Sequence, residues 1–251
     1  MCTRALLLGC LLATAMLSVA VQAATSILIW PINPMIEADR QKSAALWLEN
    51  RGLEPVDLQV RVMTWEQEAF EDRLSQQKQV VGSPPMATVQ PGKRQLVRLV
   101  NLQPPPPGTL RTYRVLVDEV LPPRANPSQL GVQFQMRYSV PLVVVGPGAY
   151  LDDGLREAPD QGQPLAPDLR YRFVEERAGT FLHLHNVGPA PARLSQVELL
   201  RANGPQPVAE GLLGYVLPGA RMRWPMPSGV RSGRIQARIN ESRQAQVLAT
   251  E

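Results

Sequence analysis

The chain has 251 residues, 44% of them hydrophobic and 19% charged, with a formal net charge of +4. Its basic residues are scattered, and no Lys/Arg block stands with interleaved aromatics, which argues against a nucleic-acid partner. With only two cysteines (Cys2, Cys10) and two histidines (His183, His185), the composition offers no rich set of nucleophilic or metal-ligating groups.

At the N-terminus Arg4 precedes an apolar run from Ala5 to Val21, and Val21-Gln22-Ala23 puts small side chains where a signal peptidase reads. Residues 1–23 therefore read as a secretory signal peptide cleaved after Ala23. A membrane anchor is the alternative; the run is short for spanning and no basic stop-transfer cluster follows it. Leu7-Leu8-Gly9-Cys10 has the look of a lipoprotein box but comes too early. Both cysteines fall inside the signal, so the mature chain is expected to carry no disulfide and to rest on its core alone.

Twenty-five prolines and eighteen glycines then cut the chain into short pieces with period-2 patterning. Leu46 and Leu48 mark one strand; Val56, Leu58, Val60 and Val62, alternating with polar residues, mark the next. Residues 66–79 are polar, with room for a turn of helix but no apolar face. Gln95 to Asn101 is a strand with Leu96 and Val100 on one face and Val97 and Leu99 on the other; Tyr113 to Val120 is another, and Pro104-Pro105-Pro106-Pro107-Gly108 between them is a rigid connection. Gln129 to Val145 is long for a strand and carries Leu130, Val132, Phe134, Met136 and Tyr138 at every second position. Beyond Gly146 the pattern breaks, resuming at Tyr171–Glu175, Thr180–His185 and Ala192–Leu200. Such strand spacing implies β-sandwiches, and the break places a boundary between domains 24–146 and 147–251.

A search for chemistry returns little. His183 and His185 lie two apart on a strand, facing one side, with no third ligand at telling spacing; a half-exposed strand face accounts for them better than a metal. No Gly-x-Ser-x-Gly elbow and no phosphate-cradling Gly-rich loop is present. The expectation is a non-enzyme with no metal, no cofactor and no small-molecule substrate.

The order of strands and corners does carry a resemblance. Ile27-Leu28-Ile29-Trp30-Pro31, Leu46-Trp47-Leu48-Glu49-Asn50, Val89-Gln90-Pro91-Gly92 before Leu96-Val97-Arg98-Leu99, and Tyr113 to Val120 before Pro122-Pro123 follow one another as in periplasmic pilus-assembly chaperones. Leu182 to Asn186 and Leu217-Pro218-Gly219 fit the smaller second domain of that family. The wording around Trp30-Pro31-Ile32 and Trp47 looks most like its archaic branch, which serves sigma-type or spore-coat-U-like pili.

The resemblance implies an all-β fold of two immunoglobulin-like sandwiches in an L or boomerang. It also implies a periplasmic protein that caps pilus subunits by lending them a strand and hands them to an outer-membrane usher. Leu130, Val132, Phe134, Met136 and Tyr138 become the lent residues; the alternative is that the same row faces the protein's own core. The family's basic pair for the subunit's terminal carboxylate falls here on Asn33 and Ser139, so Arg98, Arg114 and Arg137 are the candidate substitutes. Glu119 matches an acidic hinge residue, whose usual basic partner falls on Val143. Two rivals stand beside this reading. A two-domain pilus subunit or adhesin is disfavoured by the absent mature cysteines, and a secreted β-sandwich hydrolase by the empty catalytic search.

Overall fold

The computed structural model describes residues 27–120, 135–152 and 161–251, and every regular element among them is a β-strand. The signal segment with Cys2 and Cys10, and the stripe residues Leu130, Val132 and Phe134, lie outside the described residues. The first group of strands is β1 (Ile27–Trp30), β2 (Met35–Glu37), β3 (Ser43–Asn50), β4 (Val56–Glu68), β5 (Glu71–Gln76), β6 (Val80–Ser83), β7 (Met86–Val89), β8 (Arg94–Asn101), β9 (Leu110–Val120) and β10 (Arg137–Val145). The second is β11 (Ala149–Leu151), β12 (Gln163–Leu165), β13 (Leu169–Glu176), β14 (Gly179–Asn186), β15 (Ala192–Arg201), β16 (Gly204–Val216), β17 (Arg221–Pro225), β18 (Arg234–Ile239), β19 (Gln246–Val247) and β20 (Ala249–Thr250).

In the first sandwich a four-stranded sheet, β1-β3-β8-β6, faces a six-stranded one, β2-β10-β9-β4-β5 with β7 also on β4. The alternating rows supply the core between them: Leu46 and Leu48 from β3, Val56, Leu58 and Val60 from β4, Val97 and Leu99 from β8, and Leu142 and Val144 from β10 are all buried. Antiparallel ladders join most neighbours, but β2 runs parallel to β10, so the chain crosses from one sheet to the other between Trp30 and Met35. A second sandwich packs β17-β14-β13-β20 on β16-β15-β18-β19 around Leu182, Leu184, Leu194, Leu199 and Ile235. Val145, Ala149, Leu165 and Ala190 form a small apolar cluster where the two halves meet. Gly146 is needed there, because a Cβ on it would lie 2.3 Å from the carbonyl oxygen of Pro106 in the tetraproline loop.

The polar stretch 66–79 is not helical. β4 runs on to Glu68 and turns through Ala69 (φ 53°) and Phe70 (φ 67°) into β5, a two-residue hairpin of the twist-matching kind. Its apolar contacts lie across the domain boundary, which is why it has no face of its own in the sequence. Trp65 joins the core cluster of the second sandwich, and the Phe70 ring meets His183 edge to face at 5.0 Å.

Each sandwich is pinned by one buried asparagine at the end of a strand. Asn50 donates to the carbonyls of Glu54 (2.7 Å) and Val89 (2.8 Å) and accepts from Gly52 N (2.8 Å). Asn186 donates to Ala190 (2.7 Å) and Val216 (2.9 Å) and accepts from Gly188 N (3.1 Å) and Asp168 N (3.2 Å). The backbones match as well: Gly92 N donates to Asn50 O and Gly219 N to Asn186 O, each from a Pro-Gly corner.

Candidate functional site

Strand β10 and the outer face of the six-stranded sheet carry most of the residues singled out in the sequence. On β10, Tyr138, Val140, Leu142 and Val144 face the core, while Arg137, Ser139, Pro141 and Val143 face outward. Tyr138 is therefore tied into its own sandwich. Its hydroxyl accepts from Ile27 N (3.3 Å) and lies 3.4 Å from a Glu119 carboxylate oxygen; burial, with Glu119 adding to it, raises the phenol above its ordinary value. Met136, one step beyond in the same alternation, is 45% exposed, and its carbonyl still accepts from Glu119 N. The core-facing row thus reaches the end of its core at Tyr138 and is solvent-exposed at Met136.

The three candidate arginines are not brought together. Arg98 is exposed on the outer face of the four-stranded sheet, opposite Ala45 and Ser83, on the far side of the sandwich from the other two. Arg137 lies beside Asp118 on β9, and Arg61 reaches the same carboxylate at 2.6 Å from β4. Burial opposes ionisation of Asp118, but the hydrogen bonds from Arg137 and Arg61 outweigh it and hold the carboxyl below its usual value of 3.8. A carboxylate depressed in this way contributes stability above its unfolded value, and that contribution disappears as pH falls through the folded value. Because Arg137 and Arg61 are largely exposed, the contribution is about 1 kcal/mol or less. Urea unfolding followed from neutral pH to below 3.8 should show a steeper acid loss in the wild type than in Asp118→Asn; equal slopes would remove the linkage.

Arg114 sits where the two halves of the chain meet. Its guanidinium lies over the Trp65 ring at 3.6 Å and over the Tyr215 ring at 5.0 Å, and the two rings meet edge to face at 5.3 Å and 79°. The side chain is 12% exposed, and Asp72 on β5 comes no closer than 3.8 Å. Burial pushes the guanidinium below the usual arginine range, with Asp72 and the Tyr215 hydroxyl acting the other way. Beside this corner, between the halves, lies an apolar cavity of about 320 Å³ walled by Pro34, Met35, Trp65, Pro141, Val143 and Tyr215. On its rim Asn33 donates to Glu241 at 2.7 Å.

Glu119 is not a hinge residue in this fold. Val145 pairs with Leu110 at the end of the sheet where the chain leaves the first sandwich, and Glu119 lies nine residues further along β9, roughly 30 Å away at the rise of a strand. Its alternation turns it inward, toward the Tyr138 hydroxyl, and it is 2% exposed. Val143, its expected counterpart, is at the other end, opposite Thr112. The histidines also differ in detail from a half-exposed face. His183 is 7% exposed beneath Phe70, with Nε2 3.2 Å from Glu176, and His185 lies 3.2 Å from Glu251.

Trp65, Gln67 and Tyr215 were missed in the sequence. One signal was available: Trp65 falls in the outward row of β4, out of step with Val56, Leu58, Val60 and Val62, and a tryptophan there asks for something to cover it.

The model of the "Pili and flagellar-assembly chaperone, PapD N-terminal domain" family matches residues 35–148. A chain in the CsuC–CsuE chaperone–tip adhesion subunit pre-assembly complex, from the archaic Csu pili of Acinetobacter baumannii, is 30% identical; the match covers 90% of this chain and 99% of that one, with a TM-score of 0.70. Two further structures share the fold. The complex of Salmonella enterica SafA pilin with the SafB chaperone matches at 21% identity (90% and 98% covered, TM-score 0.59), and the Pseudomonas aeruginosa CupB2 chaperone at 17% (89% and 100%, TM-score 0.57). A search of curated protein sequences gives no match. With its all-β two-domain fold and this likeness to the archaic Csu system, the chain belongs to the family of chaperone–usher pilus-assembly chaperones.

Proposed function

We propose that the protein is a periplasmic chaperone that captures pilus subunits by strand donation and delivers them to an outer-membrane usher. In this reading residues 1–23 are a cleaved signal, 24–146 and 147–251 are the two domains, and the protein has no catalytic role and no cofactor. The observation that carries the reading is the core-facing row of β10, which leaves its own core at Tyr138 and presents Met136 to solvent. Phe134, Val132 and Leu130 extend that alternation in the sequence. A subunit lacking its last strand exposes both an apolar groove and unpaired backbone groups; an added strand satisfies the backbone while alternate side chains fill the groove.

Of the three candidate anchors, Arg114 fits best. Arg137 already shares Asp118 with Arg61, and Arg98 lies on the opposite face of the sandwich. Arg114 is a largely buried cation whose nearest carboxylate is beyond hydrogen-bond distance, so an incoming terminal carboxylate would relieve a desolvated charge. The test is co-expression of a pilus subunit with and without this protein in a periplasmic extract. Soluble subunit should be recovered only in its presence, as a stoichiometric complex. Equal recovery in both cases would sink the chaperone reading.

A further inference from the structure

The corner that holds Arg114 is assembled from both halves of the chain. We infer that Tyr215, fixed by Gln67, is a positioning residue that keeps Arg114 open for a partner's carboxylate, so that the second sandwich takes part in anchoring. The inference rests on the reading of Arg114 as the anchor.

A guanidinium has two π faces and an edge carrying five N–H donors. The Arg114 guanidinium carbon lies over the Trp65 ring of β4 at 3.6 Å and over the Tyr215 ring of β16 at 5.0 Å, and the two rings stand at 79° to each other. Contacts of this kind orient the cation without supplying its N–H groups with an acceptor oxygen. The edge is what a carboxylate binds, in the bidentate geometry that only Arg offers. One competitor stands nearby: Asp72 forms a long ion pair with the guanidinium at 3.8 Å, and a small swing of the side chain would shorten it to a hydrogen bond and occupy that edge. In this inference the Tyr215 ring, at 79° to Trp65 and 5.0 Å from the guanidinium carbon, is the wall that limits the swing.

Tyr215 is held in turn by one amide. Gln67 Nε2 donates to the Tyr215 carbonyl (3.0 Å), and Gln67 Oε1 accepts from Leu217 N (2.9 Å), so a single side chain on β4 grips the backbone on both sides of Val216. Trp65 and Gln67 are alternate residues of one strand and share its outward face, so β4 supplies both the floor of the corner and the clamp on its wall.

The experiment uses the full chain and a co-expressed pilus subunit with its native C-terminus, and it measures the dissociation rate of the purified complex. Tyr215→Leu should speed dissociation about tenfold, while Tyr215→Phe should behave as wild type. In an Arg114→Gln background, Tyr215→Leu should add nothing. Asp72→Asn should restore much of the Tyr215→Leu loss by removing the competitor. Gln67→Leu, which loosens the segment and also releases Asp72 from its 2.9 Å hydrogen bond to Gln67 Nε2, replaces Tyr215→Leu if that variant fails to fold. An equal effect of Tyr215→Leu with and without Arg114, no effect at all, or no rescue by Asp72→Asn would each overturn the inference. Failure of the wild type to form a complex, or an unchanged rate in Arg114→Gln alone, would instead overturn the functional reading beneath it.

Discussion

A chain carrying Phe134→Arg is expected to fold normally and to lose subunit capture. Each large apolar side chain of the donated row contributes on the order of 2 kcal/mol when it enters a groove, before ordering costs. The substitution removes that contribution at the centre of the row and drives a guanidinium into an apolar pocket with no counter-charge, a cost of several kcal/mol more. Together these exceed a thousandfold in affinity by the usual conversion, roughly 4 kcal/mol or beyond. The free protein should tolerate the change, because the part β10 plays in its own core comes from Tyr138, Val140, Leu142 and Val144, all downstream. Co-purification reads the capture and the urea midpoint of the free chain reads the fold. Gln133→Arg, placing the same charge in the other row, is the control and should keep capture. If Phe134→Arg still captures subunit, or if Gln133→Arg abolishes capture, the row has been assigned to the wrong face.

The contrast between these rows also shows what a sequence discloses. Alternation is a local property, and where a strand packs on its own sandwich core it was legible: Leu46 and Leu48 of β3 and Val56, Leu58, Val60 and Val62 of β4 are all buried as their spacing predicts, whereas β8, apolar on both faces, needed the structure to show that Val97 and Leu99 point inward. Contacts between the two halves were not legible. Gln67 and Phe70 in the stretch with no apolar face, and Trp65 just before it, meet residues 113 to 150 positions away: Phe70 meets His183, Trp65 meets Tyr215, and Gln67 spans Tyr215 and Leu217. Resemblance misled at Glu119 because it transfers a position along a strand without the register that decides which end of the sheet the position occupies. For Arg114 the residue type was readable, but its selection over Arg98 and Arg137 needed Trp65 and Tyr215 to be seen around it.

The asparagine clamps give the second large effect, on stability. Asn50 and Asn186 are fully buried, and each amide satisfies backbone groups from a turn and from the strand end before a distant Pro-Gly corner. Alanine at position 186 would orphan two carbonyls and two N–H groups at once, and at position 50 two carbonyls and one N–H. With about 1–3 kcal/mol for each buried group left unpaired, partly offset where water can enter, each substitution should cost roughly 3–5 kcal/mol. That is a large share of the 5–15 kcal/mol typical of a folded domain, about enough to unfold a marginal one. Aspartate should rescue little, since it keeps the acceptor but replaces both donated hydrogens with a buried charge facing two carbonyls. Because the two motifs match bond for bond at their Pro-Gly corners, the two alanine variants should lose stability by similar amounts in urea unfolding. Their separations along the chain differ, 39 residues from Asn50 to Val89 against 30 from Asn186 to Val216, which conceals the repeat in the sequence. A loss below about 1 kcal/mol at either site would mean that water replaces the amide, and that the clamp closes its corner without holding the sandwich together.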